Sequence, residues 1–80
     1  MADFENLENY EALARAIVTY AAREYVDALR ALRRNSANEE AIRMKEENER
    51  FFHSEWYMML TDIDGEYLIR KLQEEVANGR

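Results

Sequence analysis

Phe51-Phe52-His53-Ser54-Glu55-Trp56-Tyr57-Met58-Met59-Leu60 runs directly into Thr61-Asp62-Ile63-Asp64-Gly65. These fifteen residues hold two of the three Phe, the one Trp and the one His of an otherwise charged chain. So much apolar weight in one place marks the core or an interface. Asp62-Ile63-Asp64-Gly65, the strongest turn signal beyond it, marks where the chain reverses. Read as helix, the segment puts Phe51, Phe52, Trp56 and Met59 on one face, leaves Tyr57 off that stripe and Met58 at its margin.

Working backward, Asn35-Ser36-Ala37-Asn38 interrupts helical patterning, and Ser36 followed by Glu39 is a capping box. A second helix is therefore expected over 37–60, with Ala41, Met44, Phe51, Phe52, Trp56 and Met59 on its apolar face. Lys45 to Arg50 is entirely polar and reads as its most exposed or most mobile part. Asn48 and Glu55 are the exceptions, two polar residues projecting from the apolar side; Tyr10, Tyr20, Tyr25 or an Arg satisfies them in a polar layer that fixes helix register, or the strip lies open for a partner. Before the interruption, Leu7, Tyr10, Ala14, Ile17, Val18, Ala21, Tyr25, Ala28, Leu29 and Leu32 recur at helical spacing. This predicts a first helix over 7–34 with Asp3 or Asn6 as its cap. Forward of Gly65, Leu68, Leu72 and Val76 recur at four-residue steps beside Ile69, predicting a third helix over 64–77 capped by Asp62 or Asp64.

The expected fold is all-α. Helices 7–34 and 37–60 form a long antiparallel hairpin, with the shorter 64–77 helix packed across it in a single domain of residues 1–80. Residues 1–5 and 78–80 are expected to fray. In such a hairpin Ala28 faces Met44, Ala21 faces Phe51 and Phe52, and Ala14 faces Met58 and Met59, so large side chains fill the space left by alanines. A 28-residue helix is ~42 Å long, whereas a compact domain of this size is only ~30 Å across. The domain is elongated, the first helix breaks, or a second copy of the chain covers the excess, making a homodimer.

Composition narrows the function classes. Eighty residues carry seventeen acids against eleven Lys and Arg, for a net charge of −6. Such a chain repels phosphate backbones on average, so nucleic acid is an unlikely partner. There is no Cys, which excludes disulfides and thiolate metal sites and favours a reducing compartment. The acidic N-terminus does not read as a signal peptide, and no apolar run approaches the ~18 residues of a membrane span. The expected location is the cytoplasm, without membrane contact.

Catalytic constellations do not assemble. Asp62-Ile63-Asp64-Gly65 has calcium-loop residue types, but aligned on Gly65 the first and last ligand positions fall on Leu60 and Lys71, so helix capping is the expected role. Glu49 and His53 sit four apart but offer only two metal ligands. His53, Ser54 and Glu55 are consecutive and point in three directions, which no hydrogen-bonded triad tolerates. No enzyme, metal or cofactor is expected. Asn48, Glu55, Tyr57 and Met58 remain as candidate partner-binding residues. Arg30, Arg33 and Arg34 complement a helix C-terminus and, with Arg23, are the candidate anion contacts.

The pattern Phe51-Phe52-x-Ser54-x-Trp56-Tyr57-x-x-Leu60-Thr61-x-Ile63-Asp64-Gly65-Glu66-x-Leu68-Ile69, preceded by an Ala-rich helix, resembles small uncharacterised helical proteins encoded on bacterial prophages and conjugative elements. The resemblance spans about residues 10–76. It implies a cytoplasmic accessory protein of a mobile element and supplies no catalytic residues. Small acidic proteins of such elements sometimes inhibit host defence nucleases or transcription proteins by occupying nucleic-acid sites.

Three readings follow. The first is a non-enzymatic protein acting by protein–protein contact. The second is a nucleic-acid mimic presenting Glu39, Glu40, Glu46, Glu47, Asp62 and Asp64. The third is a DNA- or RNA-binding module using the arginine cluster.

Overall fold

The computed structural model describes residues 4–79, with side chains from Glu8 onward. Among them the chain forms four helices and no strand: α1 (Phe4–Arg34), α2 (Glu39–Phe52), α3 (Glu55–Leu60) and α4 (Gly65–Ala77). The all-α expectation holds. α1 is unbroken over 31 residues, and the molecule measures 50 × 23 × 18 Å, so the overlong first helix does not break and the chain is elongated. Asn6 lies within α1 and does not cap it, and Phe4 and Glu5, expected to fray, are helical; the alternative cap, Asp3, lies outside the described residues.

α2 does not begin at Ser36. Asn35 turns the chain, its Oδ1 accepting from the Ala37 amide at 3.0 Å and its carbonyl from the Asn38 amide at 3.1 Å. Asn38, in extended conformation, then caps α2 by accepting from the Ala41 amide at 3.1 Å. Satisfying a free amide of the first turn is what an N-cap contributes, typically about 1 kcal/mol.

The larger correction concerns the 37–60 helix, which breaks after Phe52. Ser54 Oγ donates to the Phe51 carbonyl at 2.7 Å and accepts from the Tyr57 amide at 3.1 Å, ending one helix and capping the next. Gly65, first residue of α4, presses on the same junction. A Cβ there would lie 2.0 Å from the Phe52 carbonyl oxygen. The end of α2 fits into the notch left by the missing side chain.

The break re-phases everything after it. In an unbroken helix Trp56 would follow Phe52 on one face, and Tyr57 would sit ~140° away. Instead Tyr57 is buried at 1% exposure, while Trp56 and Met59 are 55% and 72% exposed. Both had been expected in the core. Glu55 leaves the apolar side for solvent. The pairing of Ala14 with Met58 and Met59 fails with it, because Tyr57 is the α3 side chain that turns inward.

Ala21, Tyr25, Phe52, Tyr57 and Ile69 make the core, with Val18, Leu29, Phe51, Leu68 and Leu72 against it. Phe52 meets Tyr25 and Tyr57 edge-on at 5.7 Å between centroids, arrangements that add about 1 kcal/mol to area burial. α2 runs antiparallel to α1, Ala41 and Met44 sharing a groove with Ala28 and Ala31. α4 runs alongside α1 in the same direction, Leu68 and Leu72 lying opposite Val18 and Val26, with Val76 near Leu29 and Leu32. Asp64 caps α4 by accepting from the Tyr67 amide at 3.0 Å, as one of the two aspartates was expected to do.

Candidate functional site

The polar middle of α2 divides: Glu46, Glu47 and Arg50 are exposed as expected, while Lys45, Asn48 and Glu49 are tied into the bundle. Tyr25 of α1 donates to Glu49 Oε2 at 2.6 Å, and Gln73 of α4 donates to the Tyr25 oxygen at 3.1 Å. Lys45 pairs with the same Glu49 oxygen at 2.9 Å. Asn48, only 6% exposed, donates to the Met44 carbonyl at 2.9 Å and, at a long 3.5 Å, to Glu24 Oε1 of α1. Side chains from three helices thus share one polar layer, whose geometry fixes how they slide past one another.

Electrostatics follow from this geometry. Burial drives the Tyr25 phenol well above its usual range, and its bond to the Glu49 carboxylate pushes the same way. Burial opposes ionisation of Glu49, but the hydrogen bonds from Tyr25 and Lys45 outweigh it and hold the carboxyl below its usual value. Tyr25 is therefore a fixed donor, and Glu49 a fixed anion, across the physiological range. Neither is poised to move a proton.

His53 closes the layer at the solvent edge. Its ring nitrogens meet the Glu49 backbone carbonyl at 2.8 Å and Glu66 Oε2 at 2.7 Å. The Glu66 bond, then the backbone bond, raise the His53 pKa above the ordinary histidine value. The Glu49 side chain itself points inward, so Glu49 and His53 are not a side-chain pair.

The four candidate partner-binding residues separate. Asn48 and Tyr57 are buried, and neither is presented to a partner. Glu55 and Met58 are exposed. Met58 opens on a cavity of about 390 Å³ with His53, Asp62, Ile63 and Glu66. The Tyr57 hydroxyl is buried with no hydrogen-bond partner, and burial, then nearby Asp64, raise its pKa.

The arginines separate as well. Arg30, Arg33 and Arg34 meet Val76 and Gly79 around a cavity of about 370 Å³ where α1 and α4 end together. Arg33 Nη1 donates to the Val76 carbonyl, satisfying one of the open carbonyls in the last turn of α4. Arg23 lies elsewhere, between the grooves that flank α1.

An apolar surface absent from the expected contacts lies along one flank of α1. Tyr10, Leu13 and Tyr20 of α1 are 52%, 57% and 66% exposed. Tyr20 shares the α1–α2 groove with Glu24 and Met44, a space of about 590 Å³. One heptad beyond Met44 on the same edge of α2 comes Phe51, and Trp56 stands edge-on against it at 5.5 Å. The surface therefore continues from α1 across the groove to α3. The signal for it lay in the spacing of Tyr10, Leu13, Ile17 and Tyr20, a second line of apolar residues beside the alanine column. Among the described residues no helix is long and apolar enough to cross a membrane, and no group of three or more His, Asp or Glu gathers as a metal site. No family model, curated protein or solved structure gives a match to the chain.

Proposed function

We propose that this chain is a non-enzymatic accessory protein, of the kind carried by bacterial mobile elements, that acts by protein–protein contact. The apolar surface running from Tyr10, Leu13 and Tyr20 of α1 to Trp56 of α3 carries this reading. Exposed aromatic and aliphatic side chains gathered on one flank are what protein interfaces bury at their centres. The polar layer behind them holds the helices in register, so the surface is presented rigidly.

Affinity capture from a bacterial host lysate, with wild type and Leu13→Glu side by side, tests this. Wild type should retain a discrete protein that the variant loses. Equal recovery by both would count against the surface.

The second reading, a nucleic-acid mimic, draws on Glu39, Glu40, Glu46 and Glu47, all exposed on α2. It requires salt-sensitive binding to a basic protein. Binding unchanged at about 0.5 M salt, where screening acts within ~4 Å, would exclude it.

A further inference from the structure

Tyr10, Leu13, Ile17 and Tyr20 follow one another at intervals of three, four and three residues. That is the spacing that keeps side chains in one line along a helix packed against another helix. No helix of the same chain fills this line: three of the four side chains are more than half exposed, and Ile17 is half-buried. The seam ends at Glu24, the next position in the series. It is distinct from the Ala14, Ala21 and Ala28 column, which is buried.

We infer that a second copy of this chain occupies the seam, the two α1 helices pairing antiparallel. This deepens the contact reading above and rests on it. The spacing is self-complementary. A two-fold axis between Leu13 and Ile17 sets Leu13 of each copy against Ile17 of the other, and Tyr10 against Tyr20, as an isologous interface requires. Charge selects the direction. Glu24 is the next position in the series. Parallel pairing sets the two Glu24 side by side, like against like, whereas antiparallel pairing about this axis holds them about eighteen residues, ~27 Å, apart.

Area sets the strength. A whole side chain of this kind covers about 200 Å². The exposed fractions of Tyr10, Leu13, Tyr20 and Trp56 then offer roughly 460 Å² per copy, or ~900 Å² from two, in the range of weak, transient contacts. The expected dimer is reversible and concentration-dependent.

The chain has no cysteine, so introduced ones report register. Sedimentation or light scattering should show the 9.6 kDa chain approaching twice its mass as concentration rises. Leu13→Glu and Tyr20→Glu should each stay monomeric with unchanged helicity by circular dichroism. Tyr10→Cys and Tyr20→Cys proteins should form a disulfide-linked dimer when mixed and far less when oxidised alone, since each position lies about ten residues, ~15 Å, from its own copy across the axis. Tyr10→Cys cross-linking by itself as readily as the mixture would overturn the antiparallel arrangement. A monomer at every concentration would overturn the dimer. In that case, a partner captured by wild type and lost by Leu13→Glu would leave the contact reading standing without this inference. No such loss would remove both.

Discussion

Replacing Gly65 by alanine should be among the most damaging conservative changes in this protein, although it places a better helix former in a helix. By propensity alone Gly→Ala would stabilise by up to about 1 kcal/mol. Here the added Cβ would lie 2.0 Å from the Phe52 carbonyl oxygen and 3.0 Å from its carbon. Both obstructing atoms are backbone, so no rotamer change relieves the overlap. Either α4 lifts from the end of α2, loosening Ile69 and Leu68 from the core, or the junction at His53 and Ser54 distorts. Overpacking that forces backbone shifts typically costs 1–3 kcal/mol, occasionally more, so a net loss of about 2–3 kcal/mol is expected. Against a total stability of roughly 4–12 kcal/mol for a chain of this length, that is a large fraction. It corresponds to a fall in Tm of ~10–20 °C. Thermal and urea denaturation followed by circular dichroism would measure it. Gly79→Ala is the control: nothing lies within 4 Å of its Cβ, and its positive φ of 78°, just beyond the C-cap of α4, limits the cost to about 1 kcal/mol. A Gly65→Ala protein as stable as wild type would refute the close approach of α4 to α2, and with it the account of why α2 stops.

Four further outcomes follow from the hydrogen bonds. Tyr25→Phe should cost about 1–2 kcal/mol, because it strips Glu49 and Gln73 of a shared partner, whereas Tyr57→Phe should be neutral or stabilising by up to about 1 kcal/mol, because it removes a buried hydroxyl that bonds to nothing; parallel urea titrations compare them. Since the Glu49 pKa is lowered in the folded state, its contribution is present above the ordinary carboxylate pKa and disappears as pH falls through the depressed value. The Tyr25→Phe penalty should therefore shrink on acidification. His53 is the one histidine, so its ring proton resonance in an NMR titration should move at a pH above the ordinary histidine pKa, and Glu66→Gln should bring that midpoint down; with a raised pKa, the His53–Glu66 contribution is complete below the ordinary value and is lost as pH rises through the folded one. Ser54→Ala, lacking the α3 cap, should lose about 1 kcal/mol and Trp56 fluorescence should respond, since Trp56 lies two residues into the turn that Ser54 starts.

The long helices were legible because their signals are local. Apolar spacing set α1, Asp64 announced α4, and Asn35-Ser36-Ala37-Asn38 announced the first reversal, missing only which of its residues caps. The break after Phe52 was not legible, because Ser54 is tolerated inside a helix when its hydroxyl bonds back to a carbonyl. What decides between that and a cap is Gly65, thirteen residues further on, held against Phe52 by tertiary packing. The polar layer was legible at Asn48 and Tyr25, but the roles of Glu49, Glu24 and Gln73 in it escaped for a related reason. Lys45 to Arg50 contains no apolar residue, so periodicity assigns it to solvent. The partner of Asn48 and Glu49 in α1 lies 24 residues earlier, and Gln73 lies 48 residues beyond Tyr25. Asn48 gave the hint, a polar residue on an apolar face.

The break also ties the interior to the candidate surface. Had α2 continued, Trp56 and Met59 would have turned toward α1 and Tyr57 away. By capping α3 at Ser54, the chain buries a tyrosine whose hydroxyl has no partner and leaves Trp56 and Met59 largely in water. Burying an unpaired hydroxyl costs about 1–3 kcal/mol, and each large apolar side chain left exposed forgoes roughly 1–2 kcal/mol of burial. Nothing in the folding of a single copy recovers these terms. An interface that covers Trp56 together with Tyr10, Leu13 and Tyr20 would recover the second. Local departures from the best packing concentrate where a sequence serves something besides its own fold, and here they gather on α3 and the flank of α1 beside it.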